Sequence, residues 1–486
     1  MKKAITILLI LCFVVSAFAC TNGGGNDKQT SGSAMESTPA DSSQPATVET
    51  DLPITDKTYD GASFVIWVRG GNKEADLYVE NDDYETYKLS AAVHKRNEDL
   101  QEKFDIKLVY EDTLDEVDKM ALVADSYGHL FNDSARKTLI AAADGLLLDY
   151  SKIPYIDTTK PWYNQDSVQK LSVAGKLYAA LCDFAFNYIQ LMTCVYFNNQ
   201  LLKDVGYTND IYEMVDSRTW TFDKMVEIAK LGSADLDKDG DINLYWDQYG
   251  YVTQGSGGPN NVLFAQGGHI SLKDENDLPY FDLANDKNEF IFSNFFEKLN
   301  GDFAIFGNGV LPRECFADGR ALLCEENLGV ATVAFRGSKV EYGIVPIPTF
   351  DETQRDYHCL INAFAGAIGV PVSNGDLELT GSVMEYMTKY GYDNLVNLYY
   401  ESTLKARDLT GDDKFYDTSI RMVDLIKNSG CLDTIYYLGN CEGLDSVGEL
   451  LRDLGGAHLM AEYDSRIEAA NEKLKSTIEQ FIKNAE

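Results

Sequence analysis

Hydrophobic periodicity changes repeatedly along this chain. Phe64-Val65-Ile66-Trp67-Val68 is a continuous apolar run ending in Arg69-Gly70-Gly71-Asn72, the pattern of a strand covered on both faces that breaks into a glycine loop. Leu89, Val93, Leu100 and Phe104 then fall on one face of an α-helix, and Ile106, Leu108 and Tyr110 alternate as a strand. A strand, helix, strand unit of this kind belongs to an α/β sheet, whose ligand crevice lies outside the carboxyl ends of its strands. Trp67 and Arg69 occupy that position, and Trp67 reads equally well as a core tryptophan.

Alternation of helix and strand continues. Ala179 to Phe184 and Met192 to Phe197 are apolar stretches closed by Cys182-Asp183-Phe184 and Asn198. Thr221 is placed to cap a helix carrying Met225, Ile228 and Ala229. Tyr342 to Pro348 reads as a strand closed by prolines, and Ala363 to Val370 as another before Pro371. Ile467, Ala470, Leu474, Ile478 and Phe481 form the apolar face of a final helix. No internal repeat interrupts this order, so the fold class is α/β.

The N-terminus changes the setting. Lys2 and Lys3, an apolar run from Ala4 to Val15 and Ala17-Phe18-Ala19-Cys20 make an export signal over residues 1–19. Cys20 reads as a lipidation site, although Ala17-x-Ala19 also suits an ordinary signal peptidase and bulky Phe18 departs from the usual lipoprotein box. Residues 20–56 are rich in Gly, Ser, Thr, Asn and Pro, as in a flexible tether holding the body above a membrane. The expected location is the extracellular face of the cell membrane, with a secreted form as the alternative. A formal charge of -35, from 77 acidic and 42 basic side chains, repels nucleic acid and anionic lipid, and no run beyond residue 20 is long enough to span a bilayer. Cys182, Cys194, Cys315, Cys324, Cys359, Cys431 and Cys441 show no C-x-x-C spacing and read as buried thiols.

Candidate chemistry is sparse. The five histidines are scattered, and G-x-S-x-G, H-E-x-x-H and G-x-x-x-x-G-K are all missing, so nucleophilic and zinc catalysis are unsupported. A glycosidase needs only two carboxylates, which leaves a secreted carbohydrate-active enzyme open. Asp235, Asp237, Asp239 and Asp241, with Gly240 and Ile242, follow an EF-hand-like calcium spacing. Its twelfth position is Trp246, with Asp247 one place later, so the segment is either a padded structural calcium loop or an acidic surface turn. No cofactor is required.

Several blocks, in order, carry a resemblance: the Phe-Val-Ile-Trp strand, RNEDLQEKFDIKLVY from Arg96, KPWYN from Lys160, GKLYAA, VYFNNQLL, RTWTFDKMVEIAK, CFADGRALL from Cys315 and YGIVPIPTFDE. Together they resemble the extracellular solute-binding proteins of bacterial ABC importers, in the carbohydrate-binding branch related to maltose-binding protein. The resemblance implies a bilobal periplasmic-binding-protein-like (type II) fold, two α/β lobes joined by a multi-segment hinge. Lobe 1 would comprise 57–187 and 341–400, and lobe 2 would comprise 188–340 and 401–486. It also implies a monomer that is no enzyme, that captures a sugar or short oligosaccharide by hinge closure and that delivers it to ABC permease subunits. A bilobal surface or sensor protein for a non-sugar solute is a further alternative. On this reading the ligand residues are Trp67, Arg69, Tyr127, Asp183, Glu326, Tyr436 and Tyr437, because sugar sites combine aromatic platforms with planar hydrogen-bonding side chains.

Overall fold

A computed structural model describes residues 52–69, 88–112, 128–243, 246–255, 257–307, 311–335, 337–405 and 413–485. The export signal, Cys20, Tyr127 and residues 20–51 of the tether lie outside them. Composition extends the tether to residue 56, yet Thr55 is already buried. Its amide donates to Ser382 Oγ at 3.1 Å and its hydroxyl to Glu378 Oε1 at 3.0 Å, on the helix Leu377–Tyr390.

The strands in chain order are β1 (Ala62–Val68), β2 (Ile106–Asp112), β3 (Leu130–Ser134), β4 (Thr193–Asn198), β5 (Tyr249–Gln254), β6 (Ser271–Lys273) and β7 (Pro279–Phe281). They continue as β8 (Ala304–Gly307), β9 (Ala321–Asn327), β10 (Tyr342–Val345), β11 (Cys359–Leu360), β12 (Gly366–Gly369) and β13 (Gly430–Cys431). One sheet has the order β12-β3-β1-β2, with β1 parallel to both neighbours and β12 antiparallel to β3. The other has the order β10-β4-β9-β5-β8, with β4 antiparallel to β9 and β10, and β5 parallel to β8 and β9. Helices cover the sheets, as parallel α/β strands require.

Local sequence explains these elements. In β1, Phe64, Ile66 and Val68 are fully buried whereas Val65 and Trp67 are half-buried, so the strand alternates instead of being covered equally on both faces. The helix Lys88–Phe104 buries Val93, Leu100 and Phe104 as its spacing predicts. It also buries Arg96, whose guanidinium donates to Asn97 Oδ1 at 3.1 Å and Phe184 O at 3.4 Å. Thr221 caps the helix Phe222–Ala229 by accepting from Lys224 N. Trp220 is fully buried and donates to Pro346 O at 2.8 Å, a packing role. All seven cysteines of the body are free thiols, six of them buried.

Two segments differ from the expected lobe assignment. The resemblance puts Tyr342–Val345 in the first lobe, but β10 pairs with β4 in the second sheet. The cause is an aromatic cluster in which the Tyr342 ring packs on Tyr196, Phe316 and Phe335 at 5.5 to 6.1 Å. The last helix, Leu459–Ala485, is assigned by the resemblance wholly to the second lobe. Its Phe481 ring instead lies 5.7 Å from Tyr178, and Asn484 Nδ2 donates to Ala143 O at 2.7 Å, while in its first turn Met460 N donates to Glu289 Oε2 at 3.3 Å. It therefore touches elements flanking both sheets.

Between the sheets three chain segments run side by side. Met192 bridges to Ile361, Cys359 pairs with Gly430, and Leu360 pairs with Cys431. Asn362 N donates to Leu191 O at 3.0 Å and Ile361 N to Cys431 O at 3.1 Å.

Candidate functional site

The carboxyl ends of β1 and β3 meet the loop joining β11 to β12. Arg69 follows β1; its amide donates to Asn132 O at 3.1 Å and its guanidinium to Phe364 O at 3.2 Å. The same guanidinium lies 3.8 Å from buried Asp133 Oδ1 and 5.9 Å from the centre of the Phe364 ring. Phe364 is 63% exposed, although a phenylalanine normally seeks burial. Asn362 Oδ1 fixes the loop by accepting from Phe364 N at 3.0 Å. Trp67, two positions before Arg69, packs its indole near Gly128, where a Cβ would stand 3.3 Å from Cε2.

A second cation borders this group. Arg136, in the first turn of the helix Ala135–Ala143, donates to Tyr436 O, lies 3.5 Å from Asp445 Oδ2 and sits 5.7 Å from the Tyr436 ring centre. Its own amide donates to Ala363 O at 3.3 Å. Tyr437 is buried and donates to Ile361 O at 2.6 Å. Loop 361–364 thus gathers Arg69, Arg136, Tyr436 and Tyr437 around one short stretch of backbone.

Glu326, on the second sheet, is buried and ion-paired, so it offers no open face to a solute. It stands near the end of β9, accepts from Arg313 Nε at 2.7 Å and Nη2 at 3.3 Å, and receives Asn327 N at 2.9 Å. Asn327 pairs with Thr193 at the start of β4, next to the Met192 crossing. Glu325, on the opposite face of β9, is pushed up to about 7 by burial, and Tyr251 OH and Asn261 Nδ2 donate to it.

Asp183 stands elsewhere. It is 1% exposed, its carboxylate accepts from Tyr188 OH at 2.7 Å, and burial raises it to about 6. A Cβ on Gly391 would come within 1.8 Å of its carbonyl oxygen. A carboxylate so enclosed packs the chain leading into the Met192 crossing and offers no surface for a solute hydroxyl, which corrects the expectation that Asp183 faces the ligand. Periodicity and motif spacing single out none of Asp133, Arg136, Arg313 and Phe364. An aromatic residue set among small ones in Asn362-Ala363-Phe364-Ala365-Gly366 is the signal that points to Phe364.

The acidic loop is a separate feature. One carboxylate oxygen from each of Asp235, Asp237 and Asp239 lies within 4.8 Å of the others. Asp241 contributes its backbone amide to Asp239 Oδ1 at 2.9 Å. Asp247 is buried and accepts from Leu236 N and Asn243 N, both at 2.8 Å, so its oxygens are engaged by backbone, while Trp246 is 66% exposed. Three hard oxygens at flexible spacing suit calcium, and the bidentate ligand of a full loop is not among them.

No family model and no curated relative matches the chain. Solved structures do. A cyclo/maltodextrin-binding protein complexed with maltotetraose aligns with TM-score 0.56 at 11% identity, covering 85% of this chain and 97% of that one. The maltose-binding periplasmic protein MalE of Listeria monocytogenes, in complex with maltose, aligns with TM-score 0.54 at 13% identity, over 86% and 99%. The ABC substrate-binding protein Lmo0181 from the same organism, in complex with cycloalternan, gives 0.52 at 12% identity, over 88% and 99%. Likeness at this level of identity is a likeness of fold, and with the two sheets and three crossing segments it gives the chain the bilobal α/β architecture of these binding proteins.

Proposed function

We propose that this protein is the substrate-binding component of an ABC importer, held at the extracellular face of the membrane through a lipid on Cys20. It captures a sugar or short oligosaccharide between its lobes and presents it to the permease subunits. The observation carrying this reading is the group of Phe364, Arg69 and Asp133 beside the three crossing segments. An exposed aromatic face suits the apolar face of a pyranose, and a planar guanidinium next to a buried carboxylate suits its hydroxyls. The solved neighbours bind maltose-type or cyclic oligosaccharides. The lobes would turn about segments 190–193, 359–362 and 430–431, and bound solute favours the closed form through its differential affinity. Binding without turnover is the expected activity, with the chain acting as a monomer and needing no cofactor.

The test is a titration of the body with maltotetraose and with a cyclic oligosaccharide, followed by recovery of the solute. Binding with intact solute returned supports the receptor. Shortened product would identify a glycosidase, and no response to any oligosaccharide would remove the carbohydrate assignment.

We propose further that Asp235, Asp237 and Asp239 hold a structural calcium. Millimolar calcium should then raise the melting temperature, and Asp237→Asn should abolish the rise. Equal melting curves with calcium and with chelator would leave the segment an acidic turn.

A further inference from the structure

A cavity of about 320 Å³ opens away from this group, among Arg218, Tyr357, His358, Leu425, Asn428 and Ser429, with Gly430 at its edge. None of Arg69, Asp133, Arg136 and Phe364 lines it. Its floor is the start of the crossing ribbon, where Cys359 N donates to Ser429 O at 2.7 Å and Cys359 pairs with Gly430.

Arg218 is the unusual residue here. It ends the helix Ile211–Ser217 in a left-handed conformation, φ 64°, a place where glycine is the common occupant. A residue with a Cβ is strained there, so the side chain is retained against a backbone penalty. Its guanidinium lies over the Tyr357 ring, 5.1 Å from the centroid. Among the described residues no carboxylate forms an ion pair with it. The neighbouring Asp216 is engaged by both terminal nitrogens of Arg421. Tyr357 is itself fixed, donating to Val215 O at 3.1 Å. The cavity therefore has a planar cation braced on an aromatic face, with the His358 ring and the Asn428 amide as further hydrogen-bonding groups.

We propose that this cavity is a second small-molecule site, separate from the interlobe site, which takes a small organic carboxylate on Arg218. A guanidinium fork matches a carboxylate bidentately, and such charge-assisted pairs are the strong ones. Asp356 also lines the cavity, and its carboxylate opposes polyanions, so the ligand carries a single negative charge. The volume lies at the lower end of the range for small-molecule pockets, which fits a compact acid.

The probe is butyrate, a monoanion, titrated into the full body by calorimetry and thermal shift at fixed ionic strength, with sodium chloride as the ionic control. Saturable binding with a rise in melting temperature is expected. Arg218→Gly removes the side chain while relieving the left-handed backbone, so it should keep or raise the unliganded melting temperature and weaken butyrate by about tenfold or more. Arg218→Lys should retain only part of the affinity, since it keeps charge and loses the fork. No saturable binding, or equal affinity in wild type and Arg218→Gly, overturns the proposal. The assay contains no sugar, so its failure is distinguishable from failure of the transport reading.

Discussion

Stability is expected to fall as pH rises from about 4 to about 7, the reverse of the usual acid-labile behaviour. Three buried carboxyls produce this. Burial raises Asp183 to about 6, Glu325 to about 7 and Glu385 to about 7. Glu385 also accepts from Trp162 Nε1 at 3.0 Å and from Tyr163 OH. In the unfolded chain such groups release their protons near pH 4. Across the window between the two values the folded state binds more protons. Their contribution to stability is therefore full below the window, lost as pH rises through the folded values, and constant above about 7; half-buried His129 and His358, whose pKa values burial lowers, oppose it in part. Each carboxyl carries roughly 3 to 4 kcal/mol at most, because every tenfold gain in proton affinity on folding is worth about 1.4 kcal/mol. Below about pH 4 the trend reverses, because Asp149 and Asp351 are held under their ordinary values by hydroxyl and backbone hydrogen bonds, Asp149 also by Lys176. Urea midpoints at pH 4.5, 6 and 8 give the test. Glu385→Gln, which has no proton to lose, should flatten the decline and gain on the order of 2 kcal/mol relative to wild type at pH 8. A midpoint that climbs steadily from pH 4.5 to 8 would sink the account.

Phe364→Ala and Arg69→Ala should each weaken oligosaccharide binding by about 10- to 100-fold, the range expected when a stacking face or a charge-assisted hydrogen bond is removed. The melting temperature should hardly move for Phe364→Ala, because an exposed ring contributes little to the core. Arg69→Lys should fail to restore affinity, since an ammonium cannot hold Phe364 O and reach toward Asp133 with a rigid fork. Calorimetric titration with maltotetraose reads both effects. Unchanged affinity in Phe364→Ala would show that the solute does not rest on this ring.

Local pattern carries the elements it can specify. The Thr221 cap, the buried face of Lys88–Phe104 and the apolar face of the last helix are all set within a few turns of chain. Partnership across long separations is harder to read. Tyr342–Val345 looks like any short strand, and only the packed rings of Tyr196, Phe316 and Phe335 decide that it joins the second sheet. The site divides in the same way. Arg69 is legible because strand ends are predictable, and the structure sets it beside Phe364. Asp183 misleads because the resemblance places an acidic hydroxyl acceptor after GKLYAALC, while in this fold its burial depends on Tyr188 and on the close approach of Gly391.

The order of strands along the chain has a consequence for biogenesis. The second sheet is built from one stretch, Thr193 to Val345, whereas the first waits for β12 at Gly366–Gly369 and for the last helix to seat Phe481 on Tyr178. Loop closure over such separations is slow. A chain synthesised N-terminus first would carry its first three strands unfinished until nearly all of it had been made. That delay leaves the ribbon of three crossings to form late, as the tie that joins two independently growing halves into one body.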